Sequence, residues 1–215
     1  MTGDLERREH ILAVAERLLR HYGPQKTTIA EIAKAADVGV GTVYLEFPSK
    51  EAIVEELSRV RHRGVLGVMQ NAARSGGKFS QRVRAVFDAR LRAFTRLAEE
   101  GAHARDLVHC MNPAVRAEQA RFKEGEVALL VDLLRAGEAA GELIFPSGSP
   151  ESTARALLQA YAVFAPPYVF GAKVAELEEE HEAMHRLVLI GLCARGAPGV
   201  KALPKKRRPK IEKGR

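Results

Sequence analysis

Residues 27–50 read TTIAEIAKAADVGVGTVYLEFPSK, and the reading of this stretch decides the fold. Thr28 stands where a helix can begin, and Glu31 three residues on completes a reciprocal cap. Ala33 is small where two helices must approach closely. Asp37 stands where a tight corner needs a left-handed backbone, which Asp tolerates better than most residues. Ile32, Ala36, Val38 and Val43 are spaced to point inward and close a helix-turn-helix. The residues left for the outer face of the second helix are Gly39, Val40, Gly41, Thr42 and Tyr44, all small or flat. A face of that kind lets a helix sit deep in a DNA major groove about 12 Å wide.

The rest of the chain is also helical in pattern. No run alternates with period 2, no Asn-Gly or Asp-Gly hairpin signal occurs, and Ala, Leu, Glu and Arg dominate. Leu5, Ile11, Leu12, Ala15, Leu18, Leu19 and Tyr22 mark a first helix, which Gly23-Pro24 stops. A short helix over Val40 to Glu46 follows the corner, and Ser49 caps a long one from Lys50 to about Ala73. Ser75-Gly76-Gly77 is a break, after which Ser80 is the expected cap of the next helix. A short helical stretch is expected around Ala104 to Met111, then a long helix from Asn112-Pro113 that Gly141 ends. Ser149-Pro150 opens a helix from Glu151 to about Phe170, kinked or broken at Pro166-Pro167, and a last one runs from Val174 to Arg195. The class is all-α.

The 215 residues, 46% hydrophobic and 28% charged, suffice for a packed core and exclude global disorder. Two cysteines, Cys110 and Cys193, exclude a disulfide scaffold or a Cys-rich zinc module, and both read as small core residues in a reducing compartment. The N-terminus MTGDLERREH is charged where a signal peptide needs an apolar run. The longest uncharged run, residues 156–172, has 17 residues, short of the roughly 20 a membrane span needs. A cytoplasmic protein with no membrane partner is expected. The net charge of +7 sits wholly in residues 201–215, which hold 8 Lys or Arg and one Glu. Residues 1–50 balance at 7 and 7, so any affinity for nucleic acid has to come from shape and local contacts rather than bulk charge.

The helix-turn-helix segment resembles the DNA-binding domain of the tetracycline-repressor (TetR) family of bacterial transcription regulators. The resemblance rests on Thr28, Ile32-Ala33, the run Gly41-Thr42-Val43-Tyr44-Leu45-Glu46-Phe47, and Ser49-Lys50, and it covers about residues 10–55. It implies a DNA-binding set of Thr28, Gly39, Val40, Gly41, Thr42, Tyr44 and Lys50. Thr28 and Lys50 would hold phosphates, Gly39 to Gly41 would face bases, and Thr42 and Tyr44 would touch either. Three positions depart from the family pattern. Gly39 replaces a capping serine, Val40 replaces a common Lys or Arg, and Glu46 puts an acid where His or Tyr is usual. Phosphate affinity then falls to helix dipoles, to Arg7, Arg8 and Lys50, and to the tail.

The resemblance further implies a head over 1–49, an effector-binding and dimerisation body over 50–196, and a basic, disordered tail over 197–215. The expected partners are a palindromic double-stranded DNA operator, a second copy of the chain and a small-molecule effector, with no cofactor and no enzymatic activity. Candidate pocket residues are Phe87, Arg90, Phe94, His109, Phe122, Tyr161, Phe164 and Tyr168. Arg90 and His109 stand out, because a charged or polar group on an apolar face needs a partner, and a polar or anionic ligand atom would be one. The last two helices carry apolar stripes that would form the homodimer interface, through Leu157, Tyr161, Leu177, Met184, Val188 and Leu192.

Two rival readings compete. His181-Glu182-Ala183-Met184-His185 spells the HExxH of zinc hydrolases, but no further His follows and the only later acid is Glu212. Ordinary packing explains that helix better, as Met184, Leu187, Val188 and Leu192 indicate. The other rival is an architectural DNA-binding protein without an effector. Gly39-Val40-Gly41 lacks the preceding strand and third glycine of a nucleotide loop.

Overall fold

The computed structural model describes residues 2–143 and 148–193, and among them it is helical with no strand. The helices are α1 (Thr2–Tyr22), α2 (Ile29–Ala35), α3 (Val40–Glu46), α4 (Lys50–Ala73), α5 (Phe79–Glu99), α6 (Pro113–Ala139), α7 (Pro150–Ala160) and α8 (Val174–Cys193). Single 3-10 turns lie at Ala104–Leu107 and Ala162–Phe164. The tail over 197–215 lies outside the described residues.

Local chemistry sets the boundaries of the head. The Thr28 hydroxyl accepts from the Glu31 amide at 3.2 Å, and the Glu31 carboxylate accepts from the Thr28 amide at 2.8 Å. The Ser49 hydroxyl accepts from the Ala52 amide at 3.1 Å to open α4. Asp37 turns the corner between α2 and α3 with φ +54°, the only positive φ at a non-glycine residue among those described.

Two apolar cores follow. The first joins Ile11, Val14 and Leu19 of α1 to Ile32 and Ala33, Val43 and Phe47, and takes in Ile53, Val54 and Leu57 from the start of α4. It extends to Leu107 and Val115. The second gathers Val65 and Met69 of α4 with the inner faces of α5, α6, α7 and α8. The long helix α4 therefore belongs to both.

A polar knot ties the two regions together beside α4. Arg61, with its side chain 5% exposed, donates to Glu16 of α1 at 2.6 Å and to Glu100 beyond α5 at 2.7 Å. Arg20 of α1 donates through Nε to the Glu100 carbonyl at 3.1 Å, and the His103 amide donates to the Arg20 carbonyl at 3.1 Å. Gly101 makes this approach possible: it has φ +152°, and a Cβ there would stand 3.1 Å from the Arg20 oxygen. At the next residue of α4, burial against Phe122 pushes the His62 imidazole below its ordinary pKa, and the Ser58 carbonyl 2.9 Å from Nδ1 offsets part of that.

Two boundaries differ from the sequence expectation. Ser80 does not cap α5: the helix starts at Phe79, and the Lys78 amide donates to the Gln81 side chain at 2.9 Å. The helix after Pro150 stops at Ala160 instead of running to about Phe170. Its Tyr161 carbonyl, which would accept from residue 165 in a continuing helix, accepts instead from Arg90 Nη1 at 3.2 Å and from the Phe164 amide at 3.1 Å. Ala165 is extended ahead of Pro166, as a residue before proline must tend to be.

Candidate nucleic-acid interface

Helix α3 has seven residues and buries only Val43, which anchors it to the first core. Its other side faces solvent. Val40 is 43% exposed, Tyr44 is 52% exposed, Gly39 and Gly41 are open, and Thr42 is half-buried. Gly39 is the N-cap and supplies no side-chain cap, so the first amides of α3 point outward without one. A Cβ added at Gly41 would meet nothing within 4 Å. The face is thus narrow, uncharged and rimmed by two hydroxyl groups, a shape that fits between the walls of a major groove.

The acid that departs from the family pattern is neutralised locally. Glu46 accepts from Arg7 Nε at 2.8 Å, and Arg7 also donates to Asp4 at 2.8 Å. Arg8 lies over the Phe47 ring at 4.3 Å and pairs with Glu56 at 3.7 Å. Arg7 and Arg8, the expected phosphate contacts of α1, are therefore held by acids of α1, α3 and α4. Lys50 is engaged too: its ammonium donates to the Pro24 carbonyl at 2.7 Å and to the Thr27 carbonyl at 3.1 Å, fixing the turn before α2. At Thr28 the hydroxyl and the Glu31 carboxylate complete the cap, so a phosphate there would have to share the helix start with that carboxylate. Lys26 and Lys34 have no acid partner among the described residues. Glu46→Gln would release Arg7 from one of its two acids and remove a negative charge beside α3. The expected result is tighter DNA binding at low salt, with the slope of log K against log salt steeper by about one phosphate contact. An unchanged slope in a salt titration would place Arg7 away from the DNA backbone.

The residues of this head match known proteins. The family model for bacterial regulatory proteins of the tetR family matches residues 11–57. The head of this chain is thus similar to the DNA-binding domain of tetR-family regulators, over about a fifth of the chain. The HTH-type transcriptional regulator AcrR of Shigella flexneri is 44% identical over 52 residues, which is 24% of this chain and 24% of that protein's length. Likeness of fold extends much further than likeness of sequence. A transcriptional regulator of the TetR/AcrR family from Thermobifida fusca superposes with a TM-score of 0.68 at 24% identity, over 86% of this chain and 98% of that one. Bacillus subtilis FadR, solved in complex with stearoyl-CoA, gives 0.66 at 18% identity, over 85% and 98%. Escherichia coli NemR in its reduced form gives 0.61 at 23% identity, over 86% and 97%. The all-α fold of the tetR family, a helix-turn-helix head on a helical body, is thus the fold of this chain.

In the helical body, the expected pocket residues separate into two groups. Phe87, Phe94, Phe122, Tyr161 and Phe164 are packed core. Phe87 stacks on Tyr161 with ring centroids 3.8 Å apart, and Phe94 meets Phe122 edge-on at 5.9 Å, so the rings fill the space they were expected to line. Arg90, His109 and Tyr168 do border a cavity of about 500 Å³, together with Gln119, Lys123 and Arg155. Arg90 needs no ligand to complete it. Its partner is Glu126 of α6, whose carboxylate accepts from Nε at 2.5 Å, and both side chains are buried. Spacing along one helix could not reveal a partner on another. His109 is hydrogen-bonded to Gln119 at 2.8 Å, and partial burial, with Lys123 nearby, lowers its pKa, favouring the neutral ring. Cys110 is half-buried and packs against the first core, and burial raises its thiol pKa.

The expected dimer residues also need correction. Leu157, Tyr161, Leu177 and Leu192 are buried within the subunit, and Met184 and Val188 pack against the same core. The apolar stripe found by periodicity is the inward face of α8. A second stripe looks outward: Leu187 is 70% exposed and Ile190 is 69% exposed, with Ala183 and Gly191 open beside them. No helix among the described residues is long and apolar enough to cross a membrane.

Proposed function

We propose that the chain is a homodimeric transcription regulator, a repressor, released from a palindromic operator by a small-molecule effector. The observation that carries this reading is the outer face of α3, where Gly39, Val40, Gly41, Thr42 and Tyr44 leave a small, uncharged surface on a rigid head. Each subunit places that face in a major groove, with the two reading heads about 34 Å or one helical turn apart. Lys50 and the α2 start act at the backbone, after exchanging part of their internal hydrogen bonds for phosphate.

The head over 1–49 reads DNA, and the body over 50–196 pairs and senses. The outward stripe of Leu187 and Ile190 on α8 supports the pairing, because two large apolar side chains on one exposed helix face gain from burial against a twin. The 500 Å³ cavity supports the sensing. Its walls mix Val127, Leu158 and Ala162 with Lys123 and Arg155, set against Glu124 and the Arg90–Glu126 pair, a net positive lining that suits a small amphipathic molecule with an anionic end. An effector moves the equilibrium only by its differential affinity for the two states, a few kcal/mol for release. The Arg61 knot is one path between body and head, since it links α1, α4 and the segment after α5.

Selection of bound sites from random duplex DNA tests the reading. A two-fold symmetric consensus is expected, with a dimer in sedimentation. Binding without sequence preference would favour the architectural reading, and a monomer at high concentration would remove the dimer.

A further inference from the structure

His181 and His185 stand one turn apart on α8, and the sequence offers no third ligand after them. The structure brings one from the other direction. Asp88 of α5 lies against both rings, 2.9 Å from His185 Nε2 and 3.4 Å from His181 Nδ1. We propose that Asp88, His181 and His185 form a binding site for a divalent transition-metal ion of the zinc class.

The geometry is close to what such an ion needs. One ligand atom from each residue falls within 4.8 Å of the others. Ligands held tetrahedrally at about 2.0–2.1 Å from zinc stand about 3.3 Å apart, so small side-chain rotations suffice. Two imidazoles and one carboxylate favour zinc, cobalt or nickel over magnesium and calcium, which prefer oxygen alone.

The surroundings add three points. His185 Nδ1 is hydrogen-bonded to the Tyr161 hydroxyl at 2.7 Å, an outer partner of the kind that orients metal-binding histidines. A hydroxyl can donate or accept, so the ring can move its proton to Nδ1 and leave Nε2 for the ion. His181 is almost fully buried, and its Nε2 has no hydrogen-bond partner, so no bond at that end resists turning the ring. Finally, a recess of about 250 Å³ bordered by Asp88, His181, Glu178 and Glu182 connects the cluster to solvent. Arg84 also borders it, 3.7 Å from Asp88, and is balanced by Glu182, to which it donates with both terminal nitrogens. That grip occupies the glutamate of the HExxH pattern, so the site binds an ion without a free general base. Water from the recess completes the coordination.

The test uses the full-length protein stripped of metal and titrated with Co²⁺, followed by visible absorption, then with Zn²⁺ against a chelating dye. One equivalent is expected, with affinity lowered at least about tenfold by His181→Ala and by Asp88→Asn and changed less than about twofold by Glu182→Gln. In the unmodified protein, Co²⁺ should perturb the NMR ring signals of two of the seven histidines first. The site is overturned if no stoichiometric binding occurs at micromolar ion, if binding survives both ligand variants, or if the perturbed histidines are others. None of these readouts involves DNA, so the outcome is separate from the regulatory reading.

Discussion

Gly41→Leu is expected to weaken binding to the selected operator by about a hundredfold, close to 2.7 kcal/mol, while leaving the melting temperature equal or slightly higher. The two signs come from one position. Gly41 lies inside α3, where glycine costs about 1 kcal/mol relative to alanine because it gives up more backbone freedom on folding. Nothing in the subunit requires the missing side chain, since a Cβ there would have no neighbour within 4 Å. A larger residue therefore gains helix propensity and loses no packing. Bound to DNA, the same side chain would stand between the helix and the base edges and hold the whole head out of the groove, stretching every contact made by Thr42 and Tyr44. Gly64 of α4, equally free of neighbours, is the control: Gly64→Ala should stabilise the fold without changing operator affinity. Fluorescence anisotropy with the selected duplex and thermal unfolding read both quantities. Unchanged affinity in Gly41→Leu would mean that this face does not enter the groove.

The head was legible because its rules are local. The Thr28–Glu31 cap, the left-handed Asp37 and the inward spacing of Ile32, Ala36 and Val43 each operate within a few residues, and each stands where the pattern put it. The rest was obscured by partners far away in the chain. Glu46 reads as a misplaced acid until Arg7, 39 residues earlier, is seen to hold it. The end of α7 depends on Arg90 reaching the Tyr161 carbonyl across 71 residues, and no propensity at Ala160 or Tyr161 announces that. Periodicity found an apolar stripe on α8, but a stripe that faces the subunit's own core has the same spacing as one that faces a twin. The outward pair Leu187 and Ile190 was visible in the sequence as two further apolar residues, without a signal for which way they point. Asp88 shares no spacing with His181 and His185, so the cluster on α5 and α8 exists only in three dimensions.

Glu126→Ala is expected to destabilise the fold by about 3–5 kcal/mol, the largest stability loss among the changes considered, because it leaves the Arg90 guanidinium buried without its counter-charge. The side chains of Arg90 and Glu126 are 7% and 2% exposed, so solvent does little to replace the lost partner. Arg90 would retain only the Tyr161 carbonyl at 3.2 Å and the Phe94 ring at 5.6 Å. Removing both charges should cost much less. In Arg90→Met/Glu126→Leu, two apolar side chains of similar length fill the space, and the remaining penalty is the loss of one of the two donors to the Tyr161 carbonyl, which keeps the Phe164 amide, about 1 kcal/mol. Glu126→Gln should fall between, since an amide oxygen can still accept from Nε. Urea unfolding of the parent, Arg90→Met, Glu126→Leu and the double variant closes a double-mutant cycle, and a coupling of roughly 2 kcal/mol or more is expected. A cost below about 1 kcal/mol for Glu126→Ala would mean that water entering the adjoining cavity solvates Arg90. Arg90 would then be a charge available to a ligand in that cavity, and the effector's anionic end would belong against it.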